Sequence, residues 1–498
     1  MDFLSDIYFF IKNHAAMALL LGPVLVLAIF FLNDVFQTKH TIRRNFPILG
    51  LARYFLEFIG PELRQYLFHD ERSDRPIPRY IRRWIYAHSK HQLGTVPFGT
   101  MKDVDKPGTL LIGHSAFPKN VVADDFDYDF RVIIGHRRKN PYQASLFNIS
   151  AMSYGSLGKH AILALSNGAK LGNFYHNTGE GGVSKYHKEG GADLCVQIGT
   201  GKFGVRNDDG SFSEEKFMEL AKLDQVKMFE IKLSQGAKPG KGGVLPKEKI
   251  TAEIAEARGV SGSTDIISPP AHAEWDDEKG MLQFIKTLQD KSEKPIGIKF
   301  CLGRPKFIDD LIRAMLESKI MPDFITVDGS EGGTGAAPLA HTDYLGYPLK
   351  DALMIVDNKL REAGLRDEIK IIASGKVFTG AELAIMIALG ADLCNGARGF
   401  MLSIGCIHAL KCNTNHCPAG VATHDPWLQR GLVVEKKIPR VVRYHNAVLH
   451  EFASLVHACG YTYPQEFKRA DVMKVVDHNK IISLDEIVPQ PPKQACKV

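Results

Sequence analysis

Cysteine is scarce in this chain, eight residues in 498, too few to staple a secreted disulfide scaffold of this length. An excess of one charge is missing as well. Sixty-two lysines and arginines face 56 aspartates and glutamates, a formal net of +6, and no nucleic-acid partner is expected. With 45% apolar and 24% charged residues, wholesale disorder, collagen-like repeats and a coiled coil are excluded. What remains is a chain long enough for two or three average domains, or for one large α/β barrel with extensions. Glycine is plentiful, 45 residues, as many tight βα turns require.

Residues 15–32 (AAMALLLGPVLVLAIFFL) carry no charge over eighteen positions. At about 1.5 Å rise each they approach the roughly 30 Å of a bilayer core. The alternatives are a cleaved signal peptide, disfavoured by the lack of a small-residue cleavage site before Asn33, Asp34 and Val35, or a buried helix. Asp2, Asp6 and Lys12 precede the run and Lys39, Arg43 and Arg44 follow it. The expectation is a single-pass anchor, N-terminus out, with the bulk of the chain on the cytoplasmic face. Net charge is −1 over residues 1–33, +5 over 34–92 and +2 over 93–498. The basic stretch interleaves Arg53, Arg64, Arg72, Arg75, Arg79, Arg82 and Arg83 with Tyr54, Phe55, Phe58, Tyr66, Trp84 and Tyr86. It reads as a helical collar against anionic membrane lipid, or as an ordinary solvated helix face. The expected domains are an anchor at 1–38, a basic helical collar at 39–145, a barrel at 146–430 and a helical C-terminal extension at 431–498.

From residue 147 onward one theme repeats, a short apolar run ending in Gly, Ser, Asn or Asp, then a helical pattern. The runs are 147–152, 174–177, 228–233, 265–268, 296–300, 324–328, 369–374 and 393–397, interleaved with helix candidates at 159–171, 251–257, 281–289, 307–317, 352–363 and 380–389. This is the pattern of a (β/α)8 TIM barrel, with an open doubly wound sheet as competitor. In a barrel the active site lies at the strand ends, and phosphate is often held after strands seven and eight. Those loops read Ser374, Gly375, Lys376 and Gly396, Ala397, Arg398. Gly199, Gly201 and Gly204 spell a dinucleotide-binding glycine pattern after LCVQI, but VRNDDGSF follows, turn chemistry and not a helix, so a nicotinamide site is rejected there.

Cys406, Cys412 and Cys417 form a C-x5-C-x4-C run. Thiolates so closely spaced bind a soft metal or an iron–sulfur cluster. Zinc, with His408 or His416 as fourth ligand, is the alternative, but the two-residue knuckles usual for zinc are missing. Three thiolates without a fourth suit a cluster of three irons.

The words AMSYGSLG (151–158), NTGEGG (177–182), QIGTGKFGV (197–205), KLSQGAKPGKGGVLP (232–246), DIISPP (265–270), DGSEGGTGAAPL (328–339) and GCIHALKCNTNHCPAGVAT (405–423) resemble the synthase region of glutamate synthase. The resemblance covers about residues 145–430, and the collar before it is similar to stand-alone, membrane-tethered members. It implies an FMN-binding barrel with a [3Fe-4S] cluster, in which 2-oxoglutarate and ammonia form an imine that is reduced to glutamate. By match to the motifs, Met152, Ser153, Gln197, Lys299, Glu331, Gly332, Gly333, Gly375, Gly396 and Arg398 would surround FMN, and Cys406, Cys412 and Cys417 would hold the cluster. Lys232, Gln235, Lys238 and Arg258 would bind the oxo acid, and Glu180, Lys232 and Lys238 would serve catalysis, Glu180 beside the ammonia path. Lysine at the end of a strand, as Lys299 is, suits the negative charge of reduced flavin.

Two positions depart from the pattern. Lys241 stands where the family commonly has an acid, and Val244 where it has an amide, which leaves the oxo acid open. The glutaminase domain of full-length members and an NAD(P)H module are not found in the sequence. Ammonia, or an amine, and electrons are therefore expected from outside, from a donor such as ferredoxin and from a separate nitrogen-supplying subunit. The competing functions are an N-methylglutamate-type synthase component and a flavin reductase linked to membrane quinones.

Overall fold

Short strands whose residues are apolar on both faces pair in parallel and leave no free edge. The computed structural model describes residues 2–92, 94–119, 130–261 and 264–494. The chain divides into two units, Met1–Arg79 and Tyr80–Val498.

In the second unit, β1 (Phe147–Ile149), β2 (His176–Asn177), β3 (Leu194–Ile198), β4 (Val226–Lys232), β5 (Ile296–Phe300), β6 (Phe324–Asp328), β7 (Lys370–Ser374) and β8 (Leu393–Gly396) form a closed parallel barrel in chain order. Every residue of β3, β5 and β6 is buried, as expected for a parallel sheet covered by helices. Among the covering helices are Lys159–Leu171, Glu278–Ser292, Lys306–Ser318, Leu349–Glu362, Gly380–Ala388 and Val434–Ala458. Glycine brings the last of these in close: a Cβ on Gly168 would stand 2.5 Å from the Val441 Cβ, and one on Gly380 2.3 Å from the Phe452 nitrogen. Parallel pairing puts all strand C-termini at one rim. Lys232 of β4 lies in register with Lys299 of β5, and Asp328 of β6 with Ser374 of β7.

The barrel matches the expected class, but two runs exchange places. The run at 265–268 is not a barrel strand: Ile266–Ile267 pairs antiparallel with Val244–Leu245 in a two-stranded ribbon between β4 and β5. Ile267 is 66% exposed, which no strand covered on both faces could afford. The missing member is LCVQI, buried throughout as β3. After it, Gly201 and Gly204 lie in turns, and the next helix, Glu214–Ala221, begins only after its cap Ser213. Helix in the collar region extends to Ser89; beyond it the described residues include the strands Leu110–Ile112, Arg131–Ile134 and Tyr142–Ser145.

The expected single-pass anchor is corrected. Among the described residues no helix is long and apolar enough to cross a membrane. Residues 15–32 belong to the helix Asp2–Phe36, which contains Pro23. Just past the run Asp34 is fully buried, accepting from Arg43 Nε at 2.7 Å and from the Ile48 nitrogen at 3.0 Å, so local polar contacts hold that end. The expected placement on a membrane face with the N-terminus out, and lipid as a partner, lose their basis with it.

Candidate active site

At the rim, Glu180 sits on a short turn after β2, Gly179–Gly181. Its Oε2 is 3.0 Å from Lys232 Nζ at the end of β4. Burial alone would raise the carboxyl pKa, but Lys232, then Arg258 and Lys238, outweigh it and hold the group below the ordinary value. Glycine makes room for this carboxylate: a Cβ on Gly243 would meet its Oε1 at 2.2 Å and one on Gly199 its Oε2 at 2.7 Å. Lys238 is buried and donates to the Ala336 carbonyl at 3.1 Å. Burial, then Lys232 and Lys241, push its pKa down against the pull of Glu180. Lys241, the departure from the family pattern, thus adds positive potential here. Arg258 is pushed down to about 10 by burial and lies over the Phe203 ring, 5.0 Å from its centroid. Its buried Nε has no hydrogen-bond partner among the described residues. Gln235 is occupied with Thr334 Oγ1 at 3.2 Å.

On the neighbouring strand Lys299 Nζ lies 3.5 Å from Asp328 Oδ2. Burial works against its charge, but Asp328 and Glu230 outweigh burial and raise its pKa. Glu230, which sequence reasoning missed, is the hub of the barrel interior: it accepts from Gln197 Nε2 at 2.7 Å, Asn177 Nδ2 at 2.9 Å and Thr326 Oγ1 at 2.6 Å. An acid in the middle of the apolar run MFEIK was the available signal. Asp328, also missed, accepts from the Gly236 nitrogen at 2.9 Å.

The loops after β6, β7 and β8 are gathered together. Arg398 Nη2 donates to the Glu331 carbonyl at 3.0 Å and crosses Gly333 so closely that a Cβ there would stand 2.9 Å from its Nε. Gly375 has φ +144°, a conformation that favours glycine, and a Cβ on Gly396 would press on Phe147 at 2.6 Å. The Glu331 carboxylate is turned to the Leu349 nitrogen, 3.1 Å away, at the start of the helix Leu349–Glu362. Met152 and Ser153, both buried, follow β1, and the Ser153 hydroxyl bonds Ser156 Oγ at 3.0 Å.

The thiol loop follows β8. Burial pushes Cys406 up to about 12, and the nearby Cys412 and Cys417 push the same way. The His408 N–H points at Cys406 Sγ, 3.4 Å away, and Lys249, which sequence reasoning missed, donates to the Cys412 carbonyl at 3.1 Å and the Ser156 carbonyl at 2.6 Å. Among the described residues no group of three or more His, Cys, Asp or Glu is arranged to hold a metal ion. His408 Nδ1 faces Arg82 Nη1 at 2.6 Å.

The fold and rim define an enzyme of the (β/α)8 class, with buried cations around one carboxylate and glycine-rich loops after the late strands. Comparison with known sequences gives the family. Residues 114–462 match the family described as the conserved region in glutamate synthase. A glutamate synthase large subunit-like protein, YerD, of Bacillus subtilis (strain 168) is 41% identical, over 94% of this chain and 96% of its own length. An archaeal-type glutamate synthase [NADPH] of Thermotoga neapolitana is 34% identical over 62% of this chain, which spans 58% of that relative. A solved mutant flavocytochrome b2 with benzoylformate overlaps 93% of this chain and 98% of its own at TM-score 0.47 and 12% identity, a likeness too loose to carry an argument. The chain belongs to the glutamate synthase family and is a glutamate synthase-like oxidoreductase.

Proposed function

We propose that the chain reductively aminates 2-oxoglutarate, or an oxo acid close to it, to glutamate, with FMN and a [3Fe-4S] cluster and with ammonia and electrons supplied from outside. The observation that carries this reading is the surplus of buried positive charge at the rim: Lys232, Lys238 and Arg258 bear on the single carboxylate Glu180, and the Arg258 Nε is left without a partner. A dicarboxylic oxo acid brings the two negative charges that balance it. Arg258 and Lys238 take the carboxylates, with Gln235 at the edge.

Glu180, ionised at neutral pH, holds ammonium and accepts a proton as the free amine attacks the ketone carbon. Lys232, 3.0 Å from that carboxylate, supplies a proton to the oxygen that leaves as water. Bound FMN would supply hydride to the resulting imine, and the iron–sulfur cluster would supply electrons singly. The residues suit both groups. Met152, Ser153, Gln197, Glu331, Gly332, Gly333, Gly375, Gly396 and Arg398 would surround FMN, and Lys299, whose pKa is raised, would stay cationic toward the charge of a reduced flavin. Cys406, Cys412 and Cys417 do not converge on one ion, yet they are close enough to interact and are flanked by the cations Arg82 and Lys249, which suits a wider, anionic cluster better than mononuclear zinc.

Free glutamine is not the nitrogen source in this reading. Hydrolysing an amide takes an activated nucleophile, whereas burial raises the thiol pKa of Cys195 and Cys394 and pushes Cys301 up to about 12. The test supplies a chemically reduced donor, 2-oxoglutarate and either ammonium or glutamine. Glutamate is expected with ammonium alone. Product from glutamine without a partner, or no product from ammonium or any small amine, overturns the proposal.

A further inference from the structure

The helix Ala252–Arg258 ends on one of the buried rim cations and carries, near its start, a carboxylate that gathers donors from two other segments. Glu253 accepts from the Tyr154 hydroxyl at 3.0 Å, the Tyr186 hydroxyl at 2.6 Å and Lys185 Nζ at 2.6 Å. Both tyrosines are buried, and their rings meet edge to face with centroids 5.0 Å apart. Lys185 and then Tyr186 hold the Glu253 carboxyl down to about 2, while burial and then the bond to Glu253 raise both phenols. The carboxylate therefore stays ionised and the hydroxyls stay donors at any pH near neutral. Tyr154 follows Met152 and Ser153 beyond β1, and Tyr186 lies on the helix Lys185–Gly190, which begins just after the turn of Glu180. One side chain thus ties the long connection between β4 and β5 to the segment that bears the rim carboxylate.

Stability does not account for this arrangement. The Glu253 side chain is 43% exposed and that of Lys185 63%, and an ion pair so open to water adds little to a fold. Its consequence lies about one and a half turns further along the helix. There the Arg258 guanidinium passes between two glycines: a Cβ on Gly155 would stand 3.2 Å from Nη2 and one on Gly181 3.3 Å. Glycine leaves this slot open without gripping what lies in it, and the buried Arg258 Nε has no hydrogen-bond partner among the described residues. We propose that Glu253, held by Tyr154 and Tyr186, is a positioning residue that sets Arg258 relative to Glu180 and thereby sets the affinity for the oxo acid. The inference rests on reading Arg258 as a ligand of a substrate carboxylate. A guanidinium meets a carboxylate well only in a narrow geometry, so a helix free to shift would weaken binding while leaving the reacting groups in place.

The test measures KM and kcat for 2-oxoglutarate with the full chain, its cofactors bound, and follows amide hydrogen exchange over residues 252–259 in the same variants. Glu253→Ala should raise KM by about tenfold or more with kcat, the KM for ammonium and the thermal midpoint close to wild type, and should speed exchange in the helix. Glu253→Gln, which keeps an acceptor oxygen, should recover part of the loss. Tyr154→Phe and Tyr186→Phe keep both rings and remove one hydroxyl each, and each should raise KM by about threefold. In an Arg258→Lys background the same two substitutions should add nothing further, because they act through the guanidinium. An unchanged KM in Glu253→Ala overturns the proposal, as do tyrosine effects that persist in full beside Arg258→Lys. Should Glu253→Ala fail to fold, the two phenylalanine variants decide alone. If the wild-type chain turns over no 2-oxoglutarate, the functional reading fails; exchange over residues 252–259 still decides the tether, and unchanged exchange in Glu253→Ala overturns it.

Discussion

Replacing Glu180 by glutamine keeps the side chain's shape and removes its charge. The carboxylate lies 3.0 Å from Lys232 Nζ, and at an effective dielectric of about 20 that attraction is about 5 kcal/mol, part of which burial takes back. Gly199 and Gly243 press on the group, which leaves little room for water to replace the lost charge. Breaking a buried pair by removing one partner typically costs about 3–5 kcal/mol. The glutamine oxygen still accepts from Lys232, so about 3 kcal/mol is expected for Glu180→Gln at neutral pH. The pH dependence gives a second check. The folded-state pKa of Glu180 is depressed below 4.5, so its contribution is fully present above that value and is lost as pH falls through the folded pKa. The gap between wild type and variant should be constant from pH 7 down to about 4.5 and close below it. Urea unfolding of both proteins across this range measures it. A variant within about 0.5 kcal/mol of wild type at pH 7, or a gap that ignores acid, would refute the electrostatic account.

Acid should destabilise the barrel early. Burial lowers the pKa of His176 well below 6.5 and brings His187 to about 3 and His424 and His445 to about 4, so from pH 6.5 downward the unfolded chain takes up protons that the folded chain refuses. Glu382, held up to about 7 by burial, and Glu451, also raised, act in the opposite sense. The lowered histidines outnumber the two raised carboxylates, so a net loss of stability is expected as pH falls from 6.5 toward 5, and a flat profile over that range in chemical denaturation would count against it. Asp357 is fully buried and accepts from Arg361 Nε at 2.7 Å, Arg366 Nε at 2.8 Å, Arg469 Nη2 at 3.2 Å and Gln490 Nε2 at 2.8 Å. Asp357→Asn should cost about 3–5 kcal/mol; an unchanged thermal midpoint would show the cluster to be idle. Purified wild type should be yellow-brown, with bound FMN and about three irons per chain, and Cys412→Ser should lose the iron but keep the flavin. Zinc in place of iron after anaerobic purification would end the cluster proposal.

Some of this was open to reading along the chain because its causes are local. A strand followed by a turn and a helix is written in neighbouring residues, so the barrel class, the strand-end positions of Lys232 and Lys299, the turn of Glu180 and the spacing of Cys406, Cys412 and Cys417 need nothing from afar. Membership of the barrel is a different matter. LCVQI and DIIS look alike as apolar runs, and only pairing across the fold separates them: the first is covered on both faces between β2 and β4, while the second leaves Ile267 in solvent. The apolar run at 15–32 was misjudged for a related reason. A count along the chain does not show the contacts that folding gives Asp34 with Arg43 and Ile48 just past the run, and among the described residues no helix is long and apolar enough to cross a membrane.

The sequence by itself determined which side chains stand at the rim, because parallel pairing carries every strand end to the same side. Their charge states and partners were decided by the tertiary structure alone. Glu230, Asp328 and Lys249 become important only when distant segments bring Gln197, Lys299 and Cys412 to them, and Glu331 turns its carboxylate to the Leu349 nitrogen. The physical reason is that the energy of a buried charge is set by whatever lies within a few ångströms of it, and in a closed barrel those neighbours come from strands far apart in the chain.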